Sequence, residues 1–308
     1  MAMTKQQVEA KLLSQLIGAG TESEGAFSLR KDGESVVLRS SEQITITRKK
    51  DKPGIDVVIK DGATEAVHVP VLLTTTGHTE RVYNTFIVGD NCDVQIIAGC
   101  GIHNPGEHTS AHDGVHEIIV GANSKVVYTE KHIGEGAGQG KRVMNPKTKV
   151  RVGAGSALVM NMAQLGGVDD ANRDTMVDLA ANAQVKIYER IMTDGDQRTE
   201  STVVINMNGA GASSLIESRS VARGESYQAI ETMINAYQPS KGHVDCTSIL
   251  MDGGKVKSLP ALNAETPEAE LTHEAAIGKI AGEQLIKLMS LGLTEAEAQD
   301  AILAGFLK

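Results

Sequence analysis

The pattern of apolar and polar positions changes character twice along the chain. Near the start, Val8, Leu12, Leu13, Leu16 and Ile17 share one face of a helical pattern from Lys5 to Ile17, and Gly18-Ala19-Gly20 follows as a stop, so one short helix is expected. From Val36 the period drops to two. Ser35-Val36-Val37-Leu38, Gln43-Ile44-Thr45-Ile46 and Ile55-Asp56-Val57-Val58-Ile59 read as strands bounded by charged or Gly/Pro turns.

A repeat then sets in. Thr85-Phe86-Ile87-Val88 runs into Gly89-Asp90-Asn91, and Asp93-Val94-Gln95-Ile96-Ile97 leaves it. Thirty-two residues on, Glu117-Ile118-Ile119-Val120 meets Gly121-Ala122-Asn123, and thirty-two further Lys149-Val150-Arg151-Val152 meets Gly153-Ala154-Gly155. Looser copies surround Ala180-Ala181-Asn182 and Gly209-Ala210-Gly211. Strand pairs at a fixed period, with no helices between them, predict a solenoid, because no unit buries its apolar face until the next one stacks on it. The expected fold is mainly β: a parallel β-helix with short terminal α-helices.

The tail turns helical again. Leu271-Thr272-His273-Glu274-Ala275-Ala276-Ile277 runs into Leu285, Ile286, Leu288 and Met289, breaks at Gly292, and restarts where Thr294 and Glu297 have capping-box spacing. His273 and Glu274 are thus expected at the mouth of a helix. Three segments follow: residues 1–80 as an N-terminal helix and β cap, 81–260 as the β-helix core, and 261–308 as a helical tail.

Composition narrows the function. A net charge of −9, with no basic run longer than Arg48-Lys49-Lys50, offers nucleic acid no electrostatic footprint. No apolar run nears the ~20 residues that span a bilayer. Three cysteines, Cys92, Cys100 and Cys246, read as reduced thiols in a cytoplasmic protein. The absence of Trp and the 32 Gly suit a β repeat of small and branched residues.

Chemistry concentrates in two places. Cys100-Gly101-Ile102-His103 has the two-residue spacing of a metal chelate, and His108, His112 and His116 follow in a stretch that Gly106 and Gly114 mark as a loop. That loop is a candidate iron or zinc site, and a metal-dependent hydrolase or lyase using His103 to His116 is one open function. A solvated polar loop is the plainer alternative. The second place is Cys246, in the strand-like run Gly242-His243-Val244-Asp245-Cys246-Thr247-Ser248, together with His273 and Glu274 in the tail. Cys92, beside a turn, reads as structural. Gly134 to Gly140 resembles a phosphate loop but lacks the Lys-Ser/Thr ending, since Arg142 follows Lys141.

The tail, from His273-Glu274-Ala275 through Gly278-Lys279-Ile280 and Gly292-Leu293-Thr294-Glu295-Ala296-Glu297-Ala298 to Gly305-Phe306-Leu307, resembles the C-terminal end of the SufB/SufD family of iron–sulfur cluster assembly scaffolds. The resemblance covers roughly residues 80 to 308 and implies a right-handed parallel β-helix. It implies that Cys246 and Glu274 match SufB cluster-site positions, with His273 common to both family branches; Glu274 makes the chain SufB-like, since SufD-like sequences carry glycine there. Where SufB has a cysteine at the end of a following strand, this chain reads Tyr128-Thr129-Glu130-Lys131-His132. The implied protein is a short, core-only, non-catalytic scaffold for an iron–sulfur cluster, pairing with itself as a homodimer. Its implied partners are a SufC-like ATPase docked on the C-terminal helices, a cysteine desulfurase and acceptor apoproteins.

Overall fold

A computed structural model describes residues 4–18 and 25–308. The first helix forms as expected, α1 (Lys5–Ile17), opened by a capping box between Thr4 and Gln7. Gly18 ends it; Ala19 and Gly20, the rest of the expected stop, lie outside the described residues. The helix lies across the outside of a sheet, where Leu12 and Leu16 pack with Phe27 and Leu72. Glycines make room for it: a Cβ on Gly99 would stand 3.0 Å from Leu16, and one on Gly101 3.3 Å from Leu12.

Among the described residues, twenty strands form two sheets. From Gly54 onward the chain passes back and forth between them, and each strand pairs in parallel with its counterpart one coil later. Thr79–Val88 pairs with Ser110–Val120, and Asp93–His103 with Lys125–Glu135. The result is a β-solenoid of about eight coils, mainly β with three short helices. Antiparallel hairpins, Ala26–Lys31 with Glu34–Arg39 and Ile44–Arg48 with Gly54–Ile59, cover its N-terminal end.

The repeated turns explain the stacking. Asn91, Asn123 and Asn182 take φ of 55°, 53° and 56°, and Gly155 and Gly211 take 68° and 75° at the same point of the coil. Asn and Gly tolerate this left-handed conformation best. Each such amide then reaches the next coil: Asn91 donates to the Ala122 carbonyl at 2.9 Å, Asn123 to Ala154 at 3.0 Å, and Asn182 to Ala210 at 2.9 Å. Ser124 and Ser156 extend the ladder by accepting from the amides of Cys92 and Ser124.

Side chains alternate inward and outward along each strand, so paired residues stack in rows. One inner row runs Ile96, Tyr128, Met160, Ile187, Ile216 and Val244, all fully buried, and its next member is His273. Beside it run Ala98, Glu130, Met162, Glu189, Ser218, Cys246 and Ala275.

The tail differs from the sequence expectation in one respect. Residues Glu270–Gly278 form a strand paired in parallel with Lys241–Leu250, so His273 and Glu274 lie within the last strand of the first sheet. The unsatisfied edge of Lys241–Leu250 supplies a row of backbone partners that outweighs the helix propensity of Glu274-Ala275-Ala276. Coils therefore continue past residue 260, and Lys255–Ala264 is the last strand of the second sheet. Helices begin at α2 (Gly282–Ser290); Gly292 breaks the chain at φ 100°, and α3 (Glu295–Phe306) opens on the expected Thr294 and Glu297 capping box. No helix among the described residues is long and apolar enough to cross a membrane.

Candidate functional site

At the C-terminal end the parity of two neighbouring strands decides what meets what. Cys246 points into the solenoid and is 2% exposed. Val244 pairs with His273 and Cys246 with Ala275, so His273 lies on the inner face with Cys246, one strand over and two residues back. Strand spacing and rise put their backbones roughly 8 Å apart. Glu274 pairs with Asp245 and lies on the outer face. His273 and Glu274 are both exposed, because no further coil covers the last strand.

Cys246 sits among polar groups. Burial pushes its thiol up to about 11; the hydroxyls of Ser258 and Thr232, from the facing sheet, pull it down, while the Glu189 carboxylate adds to the rise. Glu189 is itself held by Ser201 at 2.5 Å and Ser218 at 3.0 Å.

The histidine-rich stretch is mostly strand. Cys100 and His103 both lie on Asp93–His103, and His112 and His116 on Ser110–Val120; His108 remains in the connection between them. A three-residue offset on a strand turns two side chains to opposite faces, and Cys100 is buried inside with Val71, Leu73 and Ile102. His103 lies 3.3 Å from Glu135. Gly114, which argued for a loop, is a strand glycine whose missing Cβ leaves room for imidazoles: that Cβ would meet His116 Nε2 at 2.7 Å and His112 Nε2 at 3.5 Å.

His112 and His116 belong to a buried ionic network. Arg30 donates to Glu80 at 2.7 Å, and Glu80 lies 3.2 Å from His112 Nδ1. Deeper in, Arg173 reaches Glu130 at 3.1 Å and His132 Nδ1 at 3.0 Å, while His116 Nε2 stands 3.7 Å from Glu130. Burial works against the charge on Glu130, yet His132, Arg173 and His116 hold its pKa far below the usual carboxylate range. Burial pushes His116 down to about 4, and lowers His132. Burial, with Glu80 and Glu130 nearby, holds the Cys100 thiol well above its usual value. Cys92 donates to the Lys60 carbonyl at 3.1 Å, as a structural thiol would.

Sequence reasoning passed over Glu130, His132 and Arg173 as a buried cluster, and Thr232 and Ser258 as neighbours of Cys246. Strand parity was the available signal. Val126, Tyr128, Glu130 and His132 alternate in step, so the same parity that buries Tyr128 buries Glu130 and His132.

Among the described residues, no three His, Cys, Asp or Glu side chains gather closely enough to hold a metal ion. The molecule is thus a parallel β-solenoid that carries a buried thiol and an exposed imidazole on the same inner face of its uncovered end. Residues 72–306 match the family described as SUF system FeS cluster assembly, SufBD core domain, and the chain belongs to that family. It is 30% identical over 230 residues to the iron-sulfur cluster assembly SufBD family protein of Archaeoglobus fulgidus, covering 74% of this chain and 61% of that protein. It is 25% identical to a protein of the same description from Methanocaldococcus jannaschii, across 90% of this chain and 88% of that one, and 26% identical to one from Pyrococcus horikoshii, across 89% and 85%.

Proposed function

We propose that this chain is a non-catalytic scaffold on which an iron–sulfur cluster is assembled and from which it is transferred. The observation that carries the reading is the way the inner row ends: six apolar positions give way to His273 beside the buried Cys246 thiol, at the uncovered end of a SufBD-family solenoid. Soft thiolate sulfur suits iron–sulfur clusters, while imidazole and carboxylate make harder, more exchangeable ligands. Cys246, His273 and Glu274 are the proposed ligands, and the cluster is cargo. Cys100 and His103 are a second proposed metal pair, one that needs the strand end to rearrange because their side chains leave opposite faces. The rival metal-dependent hydrolase or lyase draws no support from the His103 to His116 stretch, whose imidazoles divide between the surface and an ion-paired interior.

Two surfaces support the proposed partners. Edge strands Lys255–Ala264 and Glu270–Gly278 offer unpaired backbone groups, and Leu259 and Ile277 on them are exposed, which suits pairing with a second copy. Such a homodimer would also bring ligands from both copies to one place. On α2, Ile286, Met289 and the following Leu291 are exposed and apolar, which suits docking of a SufC-like ATPase. A cysteine desulfurase and acceptor apoproteins complete the proposed cycle, in the cytoplasm.

Anaerobic reconstitution with ferrous iron and sulfide tests the reading. Wild-type protein should gain cluster absorbance with matching iron and acid-labile sulfide, and Cys246→Ser, His273→Ala and Glu274→Ala should each lower both while circular dichroism stays unchanged. Full occupancy in all three variants would remove these residues from the site.

A further inference from the structure

The outer face of the first sheet carries a groove of about 360 Å³ that the proposed cluster site does not use. It crosses the last four strands of that sheet between two rows of side chains, with backbone at Val185, Ser214 and Gly242 as its floor. Ser213 and Lys241 stand in register on one wall, and Lys186, Leu215 and His243 in register on the other. Three strand spacings give the groove a length of roughly 14 Å. Cys246 points to the opposite side of the sheet, into the solenoid.

The groups that face this groove are mostly donors. Lys186 has no ion-pair partner among the described residues, whereas Arg190 and Arg219, farther along the same face, share Glu217. Lys241 meets Glu270 at 2.9 Å, but the two side chains are 74% and 69% exposed, and such a pair is weak and easily exchanged. His243 Nδ1 lies 2.8 Å from Thr272 Oγ1. With that hydroxyl donating, the neutral ring carries its hydrogen on Nε2, which has no partner in the protein. Glu270 is the one acid on the walls, and the positive stretch ends at the next row of the sheet, where Glu217, Asp245 and Glu274 stand. In a chain of net charge −9 this is a local reversal of sign.

Lys186 and Lys241 start from strands two apart and two residues out of step, roughly 12 Å between backbones, and their flexible stems converge over the small Ser213. Ammonium groups act as point charges that suit a tetrahedral phosphate, and no guanidinium fork is present to match a planar carboxylate. Two positive poles along one trough match two neighbouring anionic groups. We infer that this groove binds a small diphosphate, with Lys186 and His243 on one phosphate and Ser213 and Lys241 on the other, Lys241 leaving Glu270 to do so.

Equilibrium dialysis of the full chain against inorganic pyrophosphate, at low ionic strength and without divalent metal, tests this. Wild type should retain one equivalent with a Kd below about 1 mM, and Lys186→Gln/His243→Gln should weaken binding about tenfold or more. Lys255→Gln, which removes an exposed lysine from the other sheet, should leave the affinity unchanged. Adenosine diphosphate as a second ligand separates the sources: binding at least as tight as pyrophosphate identifies a nucleoside diphosphate, and weaker binding identifies the inorganic ion. No retention of either ligand by wild type overturns the inference, and so does an affinity that the double variant leaves unchanged. Citrate bound as tightly as pyrophosphate would overturn it too, by making this a carboxylate site.

Discussion

Asp245 and Glu274 occupy paired positions on adjacent strands, so two carboxylates stack on the outer face of the last two coils of the first sheet. Thr247 donates to Asp245 at 3.1 Å, and among the described residues no basic side chain is ion-paired with either acid. Like charges set directly opposite each other destabilise a sheet.

Glu274→Gln should therefore raise the thermal midpoint slightly, by a few tenths of a kcal/mol of stability. The gain should shrink in molar salt, which screens exposed charge. Melts at low and high ionic strength check this, and a salt-independent change would point to packing instead.

Acid should weaken the fold through His116. Its imidazole titrates near 6.5 when free and at about 4 when buried. Between those values the unfolded chain takes up a proton that the folded chain refuses, so stability falls as pH drops through the window and levels off below 4. His132 is shifted in the same direction. Glu130 acts lower still, its contribution being present above the ordinary carboxylate pKa and lost only as pH falls toward its own depressed value. Urea unfolding at pH 7 and pH 5 should show a loss of about 2 kcal/mol from His116 alone, and His116→Gln should remove that share of the pH dependence.

Arg173→Met should cost about 3–5 kcal/mol, because it leaves the Glu130 carboxylate buried without its guanidinium partner. Adding Glu130→Gln should recover more than half of the loss, since no uncompensated charge then remains. Denaturant midpoints of the single and double variants decide; equal destabilisation in both would mean that shape, and not charge, is what the interior needs at this point.

Exposed apolar residues on the tail separate docking from folding. Ile286 and Leu291 are 67% and 76% exposed, so Ile286→Glu/Leu291→Glu should change stability by no more than about 0.5 kcal/mol. Co-purification with the proposed SufC-like ATPase should be lost. Retained capture of the ATPase by this variant would move the dock elsewhere.

The solenoid was legible because its turns demand unusual residues. Asn91, Asn123 and Gly155 recur at equal steps since each of these coils turns through one left-handed residue at that point, and few residues tolerate it. The last coil was illegible for the complementary reason. With nothing stacked beyond it, Glu270–Gly278 needs no alternation of apolar residues, and its Glu-Ala-Ala run looks helical. His112 and His116 were read as loop residues because Gly114 lies between them, although that glycine makes space for their rings within a strand. Cys246 was legible as a strand cysteine, whereas the hydroxyls facing it lie fourteen residues before it and twelve after it in sequence and come together only when the coil closes.

The chain end is tied down away from the last coil. Arg190 donates to the carbonyl of Lys308 at 3.1 Å, and Arg219 donates to that of Phe306 at 3.3 Å while lying over its ring. Both arginines share Glu217 as a counter-ion, and they stand on Gln184–Thr193 and Ser213–Ala222, the third and second strands in from the last of the first sheet. A pull on α3 is therefore borne by coils in the body of the stack. The strand bearing His273 and Glu274 thus lies between two anchored points, held along one edge by its ladder to Lys241–Leu250 and left open along the other.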